Sequence, residues 1–365
     1  MPSSNTLQIA VLPGDGIGVE VMEPCLALLK AVEAKVGGFA LSPATYPAGA
    51  AHYRDTGIAL PKATMAACGK ADAILLAAMG LPSVRYPNGT EIAPQLDLRM
   101  DLALYAGVRP VRTLPGLPTV LCDPRAGNLD FVLIRESTEG LFASRAKGTV
   151  VNDVCATETL VLTRKTSERL FDFGFKLAAQ RKARGRPGRL TLVDKANVFT
   201  SFAWARTIFA ERASAFPAIA HDFAYVDATA LDMVRRPWTF DVLVTENMFG
   251  DILSDLGAGL MGGMGMAPSA DIGDENAVFQ PCHGTAPDIG GQGKANPTAM
   301  FLSAAMMLDW LGDRHREPKL NVAAAMIEAA VSTAYVTNKL KPFELGGQSG
   351  TAEITRAVLA AVAVA

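Results

Sequence analysis

The sequence predicts an α/β protein with a largely parallel inner sheet. Short apolar runs alternate with helical stretches along the chain. The runs are apolar throughout instead of alternating with polar residues, which is typical of strands buried on both faces. The chain has 365 residues, half of them hydrophobic, so it can bury a large core in two lobes.

The individual elements follow from the same patterns. Helices are predicted over residues 18–35 and, at the end of the chain, over the Ala-rich stretches 297–311, 321–336 and 351–364. A Gly/Met/Pro-rich loop is predicted at 262–268, and a solvated loop at the basic run 181–189. Strands are predicted over residues 7–13, 73–78, 105–111, 130–135, 189–194 and 241–245.

Charge and cysteine content limit the classes of function. The chain has 34 basic and 36 acidic residues and a formal net charge of -2. A nucleic-acid or membrane-surface protein needs a basic face, so neither partner is expected. Five scattered cysteines without a C-x-x-C pair indicate reduced thiols and a cytoplasmic location. No signal peptide and no uninterrupted apolar run long enough for a membrane span are recognised.

A glycine-rich turn, Gly14-Asp15-Gly16-Ile17-Gly18, follows the first strand and opens a helix. The dinucleotide-binding fingerprint places its third glycine where this chain has Val19. No acidic residue closes a second strand about 20 residues later. The spacing favours a tight strand-to-helix turn, so a cofactor would not be held as in an ordinary Rossmann domain.

Acidic residues form a candidate metal site. Asp251 and Asp255 are four residues apart and would share one face of a helix that follows a strand. Such a pair is often only a solvated helix face, but a cation between the carboxylates would relieve their repulsion. Asp227 could supply a third ligand. Oxygen ligands suit Mg²⁺ or Mn²⁺, and the absence of His and Cys from the cluster disfavours zinc.

Three arginines stand in apolar surroundings, as does one lysine. Arg99, Arg109 and Arg135 are each structural ion-pair candidates, but together they could bind a polycarboxylate through bidentate contacts. Lys195 follows an apolar strand. It is either a surface lysine at a strand end or, near a metal ion, a base.

Longer motifs together carry a family resemblance. They are VRPVR (108–112), RESTEG (135–140), VDKANV (193–198), TENMFGDILSDL (245–256) and HGTAPDIGGQGKANP (283–297). In this order they resemble the isocitrate/isopropylmalate dehydrogenase family of β-decarboxylating 2-hydroxy-acid dehydrogenases, which includes tartrate/D-malate and homoisocitrate members. The resemblance implies an isopropylmalate-dehydrogenase-like two-domain fold with a shared sheet. Residues 1–104 and 262–365 would form the cofactor-binding domain, and 105–261 the substrate, metal and dimerisation domain.

The resemblance also implies roles for single residues. Arg99, Arg109 and Arg135 look like the arginines that hold the malate carboxylates. Asp251 and Asp255 match metal ligands. Lys195 and Asp227 match the catalytic lysine and the third metal ligand, which come from the partner subunit of a homodimer. The substrate would be a small hydroxy di- or tricarboxylate that loses a hydride from C2 and then CO₂ from its 3-carboxylate.

The segment from His283 resembles the adenosine loop of this family. Asp288 matches the carboxylate that pairs with the ribose hydroxyls in NAD-using members, and Ile289 offers no charge to a 2′-phosphate. NAD is therefore expected instead of NADP. His283, Gly284 and Asn296 match further cofactor-binding positions.

Three of the chain's departures from the family concern the chemistry of the site. Phe142 stands where the family has a proton-donating tyrosine, and Gln280 stands where it has a glutamate. Gln95 replaces a residue that contacts the third substituent of the substrate, and it matches neither the isopropylmalate nor the isocitrate pattern. Gln95 favours a substituent that can hydrogen-bond, as in tartrate- or malate-like substrates. The loss of the tyrosine leaves open an alternative function as a regulatory, non-catalytic subunit of a hetero-oligomeric dehydrogenase.

Overall fold

The computed structural model describes residues 6–145 and 147–364. Within these residues the strands alternate with helices, as the sequence predicts. The strands are β1 (Thr6–Gly14), β2 (Ala40–Thr45), β3 (Ala73–Ala78), β4 (Ala106–Arg112), β5 (Asp130–Glu136), β6 (Thr149–Val151), β7 (Cys155–Thr157), β8 (Arg189–Asp194), β9 (Ala220–Tyr225), β10 (Val242–Thr245), β11 (Pro268–Ile272) and β12 (Ala277–Pro281).

The helices cover the faces of this sheet. They are α1 (Ile17–Val36), α2 (Ala50–Thr56), α3 (Lys62–Lys70), α4 (Pro94–Asp101), α5 (Arg164–Ala183), α6 (Thr200–Ala213), α7 (Val226–Arg235), α8 (Asn247–Met261), α9 (Thr298–His315), α10 (Pro318–Asn338) and α11 (Thr351–Val364).

One ten-stranded sheet runs through the molecule in the order β2, β1, β3, β12, β11, β4, β5, β10, β8, β9. Most neighbours are parallel, whereas β11 pairs antiparallel with β12 and β4, and β4 pairs antiparallel with β5. This confirms the expected α/β fold with a shared, largely parallel sheet. Because the sheet is continuous, the division into 1–104 with 262–365 and 105–261 stays a prediction.

The glycine-rich turn is a packing turn. Gly14 and Gly16 have φ values of 71° and 54°, and a Cβ at Gly16 would lie 2.2 Å from the carbonyl oxygen of Thr285. The Ile17 N–H, at the start of α1, donates to that same oxygen at 2.8 Å. The helix N-terminus is therefore covered by the 283–297 segment, which agrees with the expectation that this turn is not a Rossmann phosphate site.

The aspartate of that turn organises three loops. Asp15 is buried, and its carboxylate accepts N–H bonds from Ala50, Ala51 and Gly80 at 2.7–2.9 Å. Buried carboxylates are stable only when they are paired or hydrogen-bonded. Asp15 therefore ties the end of β1 to the loop after β3, which borders the cleft described below.

The C-terminal helices form much of the core. By length and composition, one helix in the described part of the chain, α10, could cross a membrane. It packs against α9 and α11, and Ile327, Val331 and Tyr335 are buried in the main core. These contacts are those of a core helix, and the apolar 351–364 segment packs as the expected terminal helix α11.

The basic run at 181–189 is not a solvated loop throughout, so that prediction was wrong. Its first three residues end α5, and Arg189 begins β8. Arg181 is largely buried and donates to Asp241 at 2.7 Å and to Asp130 at 3.0 Å. The guanidinium group of Arg181 therefore pairs with two carboxylates at the starts of strands. The charges along the sequence do not reveal this pairing.

Candidate active site

A cleft of about 390 Å³ lies where β11 and β4 join the two parts of the sheet. The ends of β3 and β12 contribute to its walls, and α4 and α8 contribute side chains from two further directions. Clefts at the carboxyl ends of parallel strands are the usual ligand sites of open α/β sheets. The residues that line it and concern the chemistry are Gln95, Arg99, Arg109, Arg135, Phe142, Asp251, Asp255, Gln280, Cys282, His283 and Gly284.

All three predicted arginines lie in this cleft. Arg99, Arg109 and Arg135 are buried, each less than a tenth exposed, and come from α4, β4 and β5. Burial, and then the charge of Arg99, lower the pKa of Arg135 to about 10. Three guanidinium groups so close together repel one another, so the site favours an anionic ligand.

An aspartate that the sequence analysis missed counters two of these arginines. Asp271, on β11, accepts from Arg99 Nε at 3.0 Å and from Arg109 Nη2 at 3.1 Å. Its complete burial would raise the pKa of this carboxyl, but Arg109 and Arg99 outweigh that effect and the pKa lies at about 2. Arg99 and Arg109 therefore form structural ion pairs with Asp271 and also line the cleft, so the two interpretations of these arginines do not exclude each other.

Asp251 and Asp255 lie on α8 in the way their spacing predicts. Glu246 caps this helix, since its side chain accepts from the N–H groups of Met248 and Phe249 at 3.0 and 3.2 Å. Burial, and then repulsion from Asp251, raise the pKa of Asp255. Two carboxylates that repel each other at the mouth of a cleft fit a bound cation.

One member of this pair also contacts an arginine. Asp251 forms an ion pair with Arg135, whose Nε donates to Asn247 at 2.9 Å. The acidic pair and the arginines thus form one connected network. Of the residues described, no three His, Cys, Asp or Glu side chains are grouped closely enough to hold a metal ion. Asp227 is therefore not brought to Asp251 and Asp255 within a single chain.

Lys195 and Asp227 pair with each other outside the cleft. Lys195 follows β8, and Asp227 lies in the first turn of α7. The lysine Nζ is 2.8 Å from Asp227 Oδ1, and this hydrogen bond lowers the pKa of the aspartate. The Asp227 side chain is 68% exposed, so another subunit could reach the pair.

Gln95 reaches the cleft from α4, one helical turn before Arg99. Its Oε1 atom is buried and has no hydrogen-bond partner. Few buried polar atoms are left unpaired in folded proteins, and an unpaired one in a cleft points to a ligand that completes it. Phe142 also lines the cleft, with its ring centre 5.0 Å from Arg135 Cζ, and a phenyl ring has no proton to donate.

The residues assigned to the cofactor fall into two groups. His283 and Gly284 line the cleft, and His283 Nε2 is buried without a hydrogen-bond partner. Burial lowers the pKa of this imidazole. Asp288 is exposed and Ile289 is half-buried on the loop that covers the start of α1. Asn296 is buried and donates to Glu344 at 2.7 Å, so its side chain holds the loop to the C-terminal segment.

Several functional candidates carried no signal in the sequence. Asp271 lies in a segment that was not predicted as a strand, and Asn247 was included only within the 245–256 motif. Cys282 directly precedes the 283–297 motif and lines the cleft beside His283. Their roles depend on strands that are distant in sequence, since Asp271 and Arg109 are 162 residues apart.

Comparison with known proteins decides the family. The family model described as isocitrate/isopropylmalate dehydrogenase matches residues 8–358. The chain belongs to this family. It is accordingly an enzyme, a dehydrogenase of the oxidoreductase class.

Curated relatives and solved structures agree with this membership. The chain is 42% identical to a 3-isopropylmalate dehydrogenase of Moorella thermoacetica, over 89% of each chain. It is 37% identical to a 3-isopropylmalate/3-methylmalate dehydrogenase of Methanocaldococcus jannaschii, over 96% of this chain and 97% of that protein. The crystal structure of isocitrate dehydrogenase from Methylococcus capsulatus superimposes with a TM-score of 0.84 at 35% identity, covering 98% of this chain and 99% of that one.

Proposed function

We propose that this dehydrogenase catalyses the NAD-dependent oxidation, with decarboxylation, of a 3-substituted malate-type 2-hydroxy acid, assisted by Mg²⁺ or Mn²⁺. The observation that carries the proposal is the joint placement of three buried arginines and the Asp251/Asp255 pair around one cleft. The names of the curated relatives, which include 3-isopropylmalate and 3-methylmalate dehydrogenases, support the same class of substrate.

The arginines would bind and orient the two carboxylates of malate. Guanidinium groups form paired hydrogen bonds to carboxylates, and buried guanidinium groups are held in a fixed orientation. Arg135 is supported by Asn247 and Asp251, and Arg99 and Arg109 are supported by Asp271. This arrangement would fix the position of C2 relative to the cofactor before reaction.

The donor set fits a hard divalent cation. Asp251 and Asp255 present only carboxylate oxygens, and the raised pKa of Asp255 reflects a site that disfavours two bare negative charges. When bound, the metal ion would supply Lewis acidity at the 2-hydroxyl group, and NAD would supply the hydride acceptor. Lys195 of the partner subunit would take the hydroxyl proton.

The loop that follows His283 and Gly284 of the cleft supports the choice of NAD. Asp288 is exposed there, and its carboxylate would accept hydrogen bonds from ribose hydroxyls but repel a 2′-phosphate. His283 would be uncharged near neutral pH because burial lowers its pKa. Its unpaired Nε2 would be free to hydrogen-bond the cofactor.

The third metal ligand and the base require a second copy of the chain. Lys195 and Asp227 do not line the cleft of their own chain, and their pair is accessible from outside. The nearby helices carry exposed apolar side chains, with Leu231 and Val234 on α7 and Ile252 on α8 each more than half exposed. Apolar groups of this kind favour burial against a partner, so we infer a homodimer with shared active sites.

Mixing two inactive variants tests the shared site. Lys195→Met and Asp251→Asn proteins should each be inactive as homodimers. In a heterodimer, one site would combine the intact Asp251 of one subunit with the intact Lys195 of the other. Random reassortment makes about half of the dimers mixed, and each has one good site in two, so about a quarter of the wild-type activity should return. No recovery after verified subunit exchange would contradict sharing.

A panel of substrates tests the reaction itself. NAD reduction would be measured with Mn²⁺ and isopropylmalate, isocitrate, D-malate, tartrate or homoisocitrate, and the products identified. Turnover of at least one of these acids is expected. Absence of turnover with all of them, together with intact Mn²⁺ binding, would favour the alternative function as a regulatory subunit. That alternative arises because Phe142 stands where the family has a tyrosine.

A further inference from the structure

Lys195 and Asp227 are presented by two neighbouring strands at one edge of the sheet. Lys195 directly follows β8, and Asp227 is the second residue of α7, which begins where β9 ends. The two strands are parallel, and their last residues, Asp194 and Tyr225, are paired in register. Among the described strands β9 is the outermost, so β8 is its one neighbour in the sheet. The relative position of Lys195 and Asp227 therefore depends on what holds these two strand ends together.

One arginine of α6 joins both strand ends. Arg206 donates to the Asp194 carboxylate through Nε at 2.7 Å and through Nη2 at 2.9 Å. Its Cζ atom lies 4.7 Å from the centre of the Phe223 ring and 5.1 Å from that of the Tyr225 ring, and both rings belong to β9. A planar guanidinium group can form paired hydrogen bonds and contact aromatic rings at the same time. Arg206 therefore connects the end of β8 to the end of β9.

The Asp194 carboxylate also shapes the turn that carries Lys195. Its side chain is 2% exposed, and Oδ1 accepts a hydrogen bond from the Ala196 N–H at 2.9 Å. The Lys195 carbonyl oxygen accepts from the Val198 N–H at 3.0 Å, which closes the turn. A buried carboxylate is stable only when it is paired or hydrogen-bonded, and Arg206 supplies its cation. Loss of that cation would disturb the residue that directly precedes the lysine.

We propose that Arg206 is a positioning residue that orients Lys195 and Asp227 toward the cleft of the partner subunit. Arg206 does not line the cleft of its own chain, and it acts through the two strand ends. The inference rests on the proposed function and adds to it the residue that fixes the geometry of the base and of the third metal ligand. A small misplacement of such groups lowers the rate strongly even when the substrate still binds.

A second arginine on the same helix provides a matched control. Arg212 donates to Asp172 through Nε at 2.7 Å and through Nη2 at 2.8 Å, in the same paired geometry. Asp172 lies on α5, so this pair joins two helices and not the strand ends beside the base. Arg206→Gln and Arg212→Gln each remove one paired arginine–aspartate contact of α6. Only the first should disturb Lys195 and Asp227.

Steady-state kinetics separate a positioning role from a structural one. Arg206→Gln should lower kcat by about 10- to 100-fold and raise the Mn²⁺ concentration for half-maximal rate by about tenfold. At saturating Mn²⁺ the KM for the hydroxy acid should change by less than about twofold, because the three arginines of the cleft are untouched. Arg212→Gln should leave all these values within about twofold. An unchanged kcat in Arg206→Gln, or an equal fall in the control, would overturn the inference.

Subunit mixing shows on which subunit's site Arg206 acts. In a mixed dimer of Arg206→Gln with Asp251→Asn, one site combines an intact Asp251 with the Lys195 of a subunit that retains Arg206. About a quarter of the wild-type activity should therefore return after random reassortment. In a mixed dimer with Lys195→Met, the remaining lysine belongs to the subunit without Arg206. Activity in that mixture should stay below that of Arg206→Gln alone.

The opposite pattern, with recovery beside Lys195→Met and none beside Asp251→Asn, would refute the inference, because Arg206 would then act on its own cleft. If Lys195→Met and Asp251→Asn themselves fail to complement each other, the shared site of the proposed function fails, and the inference fails with it. If Arg206→Gln does not fold, Arg206→Lys replaces it in both experiments. The lysine keeps a positive charge beside Asp194 but cannot form the paired contact, so the same pattern of recovery is expected.

Discussion

The unpaired oxygen of Gln95 permits the sharpest test of substrate recognition. Gln95 and Arg99 are one turn apart on α4, so a ligand held by Arg99 presents its neighbouring substituent to Gln95. Gln95 Oε1 is buried and lacks a partner. An apolar substituent would leave this atom unpaired, at a cost of about 1–3 kcal/mol, whereas a donor would complete it.

The test is Gln95→Leu, assayed with two malates whose uncharged 3-substituents have nearly the same shape. For 3-isobutylmalate, removal of the unpaired oxygen should raise kcat/KM by about 5- to 150-fold, which is 1–3 kcal/mol at about 1.4 kcal/mol per factor of ten. For 3-(carbamoylmethyl)malate, whose amide can donate to Gln95, the same change should lower kcat/KM by a similar factor.

Steady-state kinetics at saturating NAD and Mn²⁺ would measure both values on one preparation. Met100→Leu is the matched control, because Met100 is exposed on the same helix and does not line the cleft. The ratio of the two kcat/KM values should be unchanged in this control. An unchanged ratio in Gln95→Leu would refute the argument that Gln95 contacts the third substituent.

Three further predictions concern the metal and the proton. Asp251→Asn should lower Mn²⁺-dependent turnover by at least about 100-fold while circular dichroism remains native, and full activity at limiting Mn²⁺ would exclude the metal assignment. Phe142→Tyr should supply a proton donor and speed the decarboxylation step by up to about 100-fold. The yield of the decarboxylated 2-keto acid should then rise relative to the 2-keto acid that still carries its 3-carboxylate. A constant ratio of these two products would show that Phe142 is not at the tyrosine position. Asp255→Asn should raise the Tm of the metal-free protein at neutral pH and reduce the rise in Tm on adding Mn²⁺. Burial and Asp251 raise the pKa of Asp255 in the folded state, so above the unfolded-state pKa of this carboxyl its ionised form destabilises the fold. The uncharged amide of the variant removes that loss of stability. A lower metal-free Tm in the variant would contradict the reasoning.

Much of the sheet could be predicted because buried strands carry a local signal. The six predicted strands correspond to β1, β3, β4, β5, β8 and β10, each an apolar run bounded by turns or polar residues. The edge strands β2 and β9 were missed, since β9 contains His221 and Asp222 and most of its residues are exposed. The strands β11 and β12 were missed because they are short and follow a glycine-rich stretch.

The residues of the candidate site were found by motif, but their interactions were not. Spacing placed Asp251 and Asp255 on one helix face, since that relation depends only on the helical repeat. The pairing of Arg109 with Asp271 could not be predicted, because it depends on the antiparallel register of β4 against β11. Arg99 reaches the same carboxylate from α4, which is equally distant in sequence. The antiparallel pairing of β11 with β12 places Asp271 beside Gln280, a contact that the sequence did not indicate.

The alternation of strands and helices, the family and the chemical types available to the site could all be predicted from the amino-acid sequence. These are local properties, set by side-chain volume, backbone preference and the order of residues along the chain. Three further features became visible in the folded structure: the buried Asp271 balances two arginines of the cleft, Gln95 presents an unpaired oxygen, and Lys195 with Asp227 lies outside its own cleft. Electrostatic balance and unpaired hydrogen bonds depend on distances between segments, and those distances are fixed only when the sheet is assembled.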